Sequence, residues 1–247
     1  MKRLCVVFVF VLLVAARASA GPLLLAGTIG GTDFCASDNN IGCTFGATLL
    51  DIDPTLGSLS LAPATIGGLN VQGSLHTETI GTHNVLNSSS LQITNNTGAT
   101  VNGTVAVGSI NFLGPIAEAS LSGSGTWTDA EGSTIALRWH NDPANQQGAE
   151  TPTDTPGILL SSFADVAGPD TDAFSHTVNN IAVLDPALFG MTLSFDLSLT
   201  AGGQLTSRGQ TLIKDQLAAV PEPGSMLLLG TGLFALAGKA RKRFNRA

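Results

Sequence analysis

Six large apolar residues stand at every second position from Phe189 to Leu199: Phe189, Met191, Leu193, Phe195, Leu197 and Leu199. Thr192, Ser194, Asp196 and Ser198 fall between them. Successive side chains of a strand point to opposite faces, so this pattern buries one face and leaves the other polar. On a helix the same residues would scatter around the axis, which excludes that alternative. Ile135, Leu137 and Trp139 alternate with Ala136, Arg138 and His140 in the same way. Further strands are expected over 69–80, 90–94, 100–112, 117–128, 158–163, 174–184 and 204–213. No stretch of the middle holds a helical period long enough to compete. The runs are punctuated by Gly, Ser, Thr and Asn. Asn95-Asn96-Thr97-Gly98 and Asp129-Ala130-Glu131-Gly132 read as hairpin connections. Residues 141–157, rich in proline and glycine, read as a long surface loop. Strands at short intervals without helices between them give an all-β expectation: an antiparallel β-sandwich over residues 21–219, with a jelly-roll-like order as one option.

The two ends obey different rules. Lys2 and Arg3 precede an apolar run from Leu4 to Ala16, and Ala18-Ser19-Ala20 stands before Gly21. Positive charge, a short apolar core and a small-residue site are the parts of a secretory signal peptide, with cleavage expected between Ala20 and Gly21 by signal peptidase. At the other end, Val220-Pro221-Glu222-Pro223-Gly224 leads into an apolar run from Met226 to Gly238, followed by Lys239-Ala240-Arg241-Lys242-Arg243. Prolines stop regular structure, the run enters a bilayer, and the cations hold the tail on the cytoplasmic side. A helix over 224–238 is only ~22 Å long, whereas the bilayer core is ~30 Å thick. Such a tail suits a processing signal better than a permanent single-pass anchor, the other reading these residues allow.

The tail over residues 220–247 resembles a PEP-CTERM sorting domain. That resemblance implies recognition of Val220, Pro221, Glu222 and Pro223 by an exosortase, a membrane-embedded cysteine transpeptidase. It also implies a Gram-negative host that makes exopolysaccharide. The protein would be anchored transiently in the inner membrane through its C-terminal segment. It would then reside at the cell surface or in the extracellular matrix associated with a biofilm.

Charge is segregated. Residues 21–220 keep only Arg138, Arg208 and Lys214 against seventeen acids, a net charge of −14. That surface repels phosphate backbones, which excludes nucleic acid as a partner. Two cysteines remain after signal removal, Cys35 and Cys43. In an exported chain an even pair reads as a disulfide rather than as free thiols, and no histidine lies near enough in sequence to suggest a metal site.

Catalytic constellations are missing from the sequence. The histidines, His76, His83, His140 and His176, include no pair at zinc-ligand spacing, and neither a nucleophile elbow nor a phosphate-binding loop is present. A serine triad assembled in space stays open, since its members need not be neighbours in sequence. Trp127 and Trp139 flank a turn, with Arg138, His140, Asn141 and Asp142 beside it. They serve either as core or as a sugar platform, and the buried alternation through Trp139 favours core. Asp51-x-Asp53, Asp129-x-Glu131 and Asp170-x-Asp172 carry oxygens of the kind calcium takes, without the loop of an EF-hand. No other cofactor is expected. The sequons at Asn87, Asn95 and Asn102 carry little weight in a bacterial chain. The expectation is a non-enzymatic structural or interaction protein. A carbohydrate- or calcium-binding module is the alternative, and a secreted hydrolase is disfavoured.

Overall fold

The computed structural model describes residues 21–80, 83–185 and 187–214. The signal segment, the sorting motif, the apolar run and the basic tail lie outside them. The chain divides at Lys214/Asp215, and every described residue belongs to the first unit. Its strands are β1 Leu24–Ile29, β2 Thr32–Ser37, β3 Ala47–Thr48, β4 Ser58–Ile66, β5 Leu69–Ile80, β6 His83–Asn95 and β7 Val101–Leu113. They continue as β8 Ile116–Thr128, β9 Thr134–Asp142, β10 Ile158–Val166, β11 Thr171–Asp185, β12 Leu188–Leu199 and β13 Gln204–Lys214. Among the described residues there is no α-helix, only one 3-10 turn at Asp38–Asn40.

The strands form two sheets. Sheet A has seven strands in the order β10-β9-β12-β7-β1-β2-β3, and sheet B has six in the order β11-β8-β13-β6-β5-β4. Every strand pair is antiparallel except the short β2–β3 contact. The period-two segment is β12, in the middle of sheet A between β9 and β7. Its six apolar side chains face sheet B, none more than 4% exposed. Each contributes roughly 1.5–3 kcal/mol by leaving water. The layers meet closely where sheet B is thinned by glycine. Gly209 on β13 opposes Leu193, and Gly123 on β8 opposes Leu137 and Trp139. A methyl group at either position would collide with those side chains.

The two expected hairpins, at 95–98 and 129–132, are corrected by the fold. β6 and β8 belong to sheet B, whereas β7 and β9 belong to sheet A, so both turns carry the chain from one layer to the other. At 129–132 the fully buried Ala130 and the backbone bonds from Gly132 N to Ala167 O and from Ala167 N to Ser133 O hold the crossing. At 95–98 the physical reason lies in Asn95, which is fully buried. Its Nδ2 donates to the carbonyl oxygens of Ala99, Leu199 and Thr200 at 2.8, 2.8 and 3.0 Å. Its Oδ1 accepts from Thr97 N and Oγ1 at 2.9 and 2.7 Å. One amide thereby ties the β6–β7 crossing to the β12–β13 crossing. Repeated passage between layers makes the build jelly-roll-like in this respect.

Hairpins with two-residue turns occur instead at Gly30-Gly31 and Gly67-Gly68, all four with positive φ. Glycine meets no steric penalty in that region, and paired positive φ angles match strand twist. Gly30 and Gly67 also lie backbone to backbone across the two sheets, which no side chain would permit. Four strands escape sequence reading, and β3, two residues long, is too short to show any period. β1 and β2 are buried on both faces over most of their length, which erases alternation. β4 carries Pro63 and a register shift between Leu61 and Ala64, tolerable because it is an edge strand.

Candidate functional site

The outer face of sheet A is where this fold leaves polar side chains in register. Thr28 on β1 stands opposite Thr104 on β7, which stands opposite Asp196 on β12. Asp196 in turn pairs with Ala136 on β9, and Ala136 with Ala164 on β10. A second row runs through Asn102, Ser198, Thr134 and Val166. These rows line an open groove of about 670 Å³. Thr104 Oγ1 donates to Asp196 Oδ1 at 2.9 Å, and Arg138 Nη1 donates to Oδ2 at 2.6 Å. At the β2 end, Thr28 Oγ1 donates to Asp33 Oδ1 at 2.6 Å. The Arg138 and Asp196 side chains are 40% and 44% exposed, so their ion pair adds only ~0–1 kcal/mol to stability. What it does is hold a guanidinium and a carboxylate in fixed orientation beside the groove.

The other end of the same face is covered. The surface loop expected over 141–157 starts later, because Asn141 and Asp142 end β9, and residues 143–157 fold back onto the sheet. Asp142 accepts from Ala144 N and Gln146 N at 3.0 and 2.6 Å. Asn145 and Asn111 bond reciprocally, with Asn111 N to Asn145 Oδ1 at 2.8 Å and Asn145 Nδ2 to Asn111 Oδ1 at 2.9 Å. Gly148 then lies against Gly108 and Thr192, and Gly148, Ala149 and Pro152 are buried. The groove ends at the buried row of Ala26, Ala106 and Ser194.

His140 lies in β9 beside Thr192 and is buried, its Nδ1 without a hydrogen-bond partner among the described residues. Burial, reinforced by the Arg138 guanidinium, pushes its imidazole below the ordinary 6.5. The unfolded chain therefore takes up this proton first as pH falls. The associated stability is complete above about pH 6.5 and lost as pH falls through the folded value. Urea midpoints measured from about pH 7 to 5 should drop more steeply for the parent than for His140→Gln. Parallel lines would mean that another group carries the acid limb.

The residues singled out in the sequence disperse. Trp127 and Trp139 are both fully buried, and Trp127 Nε1 donates to Asp165 Oδ2 at 2.8 Å. The sugar-platform reading of these tryptophans therefore fails, because neither ring faces solvent. His176 packs on Phe163 with centroids 4.7 Å apart, on the opposite layer from His140. Cys35 and Cys43 are joined, with Cα atoms 5.8 Å apart.

The acidic pairs organise loops. Asp51 accepts from the backbone N–H groups of Asn39, Asp53 and Ser60, and Asp53 accepts from Thr55 N and Ser58 Oγ. Burial, and then the nearby Asp51 and Asp53, raise the Asp38 carboxyl above its usual value despite a hydrogen bond from Gly57 N. Asp172 accepts from Gly168 N and Ala173 N, which lower its pKa. Among the described residues no three His, Cys, Asp or Glu side chains are placed to hold a metal ion. Asn87 and Asn95 are buried as well, which closes those two sequons in the folded protein. Ala18, Ala20 and the residues from Val220 to Pro223 lie outside the described residues, and Gly21 N donates to Ile110 O at 2.5 Å. The groove itself left no signal in the sequence, because its members come from five strands and are common residue types.

Residues 219–242 match the PEP-CTERM protein-sorting motif. The motif implies an exported protein handled by an exosortase, with a surface or membrane-anchored location. No curated protein matches the chain. Among solved structures, TmCBM61 in complex with β-1,4-galactotriose is similar at 12% identity and a TM-score of 0.33, covering 57% of this chain and 87% of that one. The N-terminal cellulose-binding domain of Cellulomonas fimi β-1,4-glucanase C is similar at 13% identity and a TM-score of 0.30, covering 60% and 90%. The carbohydrate-binding module CBM36 in complex with calcium and xylotriose reaches 13% identity and a TM-score of 0.26, covering 44% and 73%. Scores this low carry no argument about ligand or activity.

Proposed function

We infer that this is an exported, exosortase-processed protein of the cell surface or exopolysaccharide matrix, which holds a polysaccharide chain without cleaving it. The groove on the outer face of sheet A is the single observation that carries the reading. It is open at its sides and mostly apolar in surface, with the Thr28, Thr104, Thr134 and Ser198 hydroxyls, the Asn102 amide and the Asp196 carboxylate spaced along it, and hydrogen bonds fix Asp196 before any ligand arrives. Polar groups so placed suit a hydroxylated ligand, and their fixed orientation lowers the ordering cost of binding. Hydrolysis is a poorer fit. Asp33 and Asp196 are separated by three strand spacings, about 14 Å, beyond the ~5–9.5 Å at which paired carboxylates cleave glycosides. Both oxygens of Asp196 are also engaged.

The test is retention of the full chain on the host's own exopolysaccharide, for the parent and for the double substitution Arg138→Ala with Asp196→Ala. The parent should be retained and the double variant weakened at least about tenfold, equivalent to ~1.4 kcal/mol. Equal retention of both proteins, or of neither, sinks the reading.

A further inference from the structure

The two sides of the sandwich end in different ways. On one side the edge strands β3 and β4 find partners within their own chain. Leu49 N donates to Cys35 O at 2.7 Å, Ile52 N donates to Ser60 O at 3.0 Å, and Asp51 forms a bridge with Leu61. On the other side β10 and β11 are the last strands of their sheets. Among the described residues, the backbone groups of β10 that point away from β9 have no backbone partner. A row of unpaired N–H and C=O groups is a template for one more strand, and native edges are normally guarded against it.

β11 has such a guard. Its pairing with β8 shifts register between Val178 and Ile181, and Asn180 there has φ 59. A bulge of this kind twists the edge away from a straight partner. β10 lacks an equivalent over its second half. After one shift between Leu159 and Ser161, residues Ser162 to Val166 run in unbroken register with β9. β10 contains no proline and no cation. Its one charged residue, Asp165, is turned inward to accept from Trp127 Nε1. Ile158 and Val166 stand 61% and 63% exposed on it.

We propose that β10 pairs antiparallel with β10 of a second copy of this chain, about a two-fold axis passing through the run Ser162–Val166. An unpaired ladder selects an extended strand, and an antiparallel two-fold makes any strand complementary to its own copy. The domain elsewhere repels itself through a net charge of −14, whereas β10 offers a strip that carries no outward charge. Two copies meet there without like-charge repulsion. Because the axis stands perpendicular to the sheet, sheet A continues across the junction with the same face outward. The polar row from Thr28 to Ala164 would then meet its counterpart end to end, doubling the length of the groove. The pairing does not depend on what the groove binds.

Sedimentation of the full chain in mild detergent, at rising concentration, tests the proposal. The parent should be dimeric. Val166→Lys should weaken the dimer at least about tenfold while keeping the parent's melting temperature, since that side chain is exposed. Single cysteines at Ser162 or Ala164 should form a disulfide between copies at one or both positions, whereas a cysteine at Thr177 on β11 should not. A parent that stays monomeric overturns the proposal. So does a dimer indifferent to Val166→Lys, or one that links through Thr177 and not through Ser162 or Ala164.

Discussion

Phe195→Asp is expected to leave the domain unfolded at room temperature. The Phe195 side chain is 4% exposed at the middle of β12, which pairs with β7 on one side and β9 on the other. The substitution loses roughly 1.5–3 kcal/mol of apolar burial. It also places a carboxylate between the sheets without a partner, which costs several kcal/mol more. A domain of this size has only ~5–15 kcal/mol to lose. The neighbouring substitution is the control. Asp196 faces the groove at 44% side-chain exposure, so Asp196→Asn should melt within about 3 °C of the parent. Circular dichroism melts of the three proteins decide the matter. A Phe195→Asp protein with the parent's melting temperature would mean that β12 is not the centre of the core.

Asn95→Leu should be the most damaging polar substitution, although it swaps side chains of similar size. Asn95 donates to three carbonyl oxygens and accepts from Thr97 twice, and its own side chain is fully buried. Leucine takes the side-chain partner from Leu199 O and Thr97 N, whereas Ala99 O keeps Thr97 Oγ1 and Thr200 O keeps Gly203 N. Each buried polar group left without a partner costs ~1–3 kcal/mol, so a loss of about 4 kcal/mol or more is expected. That corresponds to a melting temperature lower by about 10 °C. Asn95→Asp separates the causes, because it keeps the acceptor and loses the donors. It should also fall, since its carboxylate would face three carbonyl oxygens. If Asn95→Leu melts within about 2 °C of the parent, the crossings are not held by this amide.

The strand nature of the chain and the inward face of its central strands are legible in the order of the residues. A period of two is a local property, and Phe189 to Leu199 or Ile135 to Trp139 can satisfy it in only one way. The sorting motif is legible in the same way, because the order of proline, acid, apolar run and basic cluster is contiguous. The tertiary structure alone decided which strands pair and which turns change layers. Asn95-Asn96-Thr97-Gly98 is locally a good hairpin turn. It becomes a crossing because Asn95 finds better partners near Leu199 and Thr200, more than a hundred residues away in the chain. β1 and β2 were hidden for a related reason, since a strand covered on both faces loses its alternation. The groove is the extreme case. Thr28, Thr104, Arg138 and Asp196 are ordinary surface residues in sequence, and only register brings them onto one face. Local chemistry fixes what a strand is, while its neighbours are chosen by contacts whose partners lie too far along the chain to be read there.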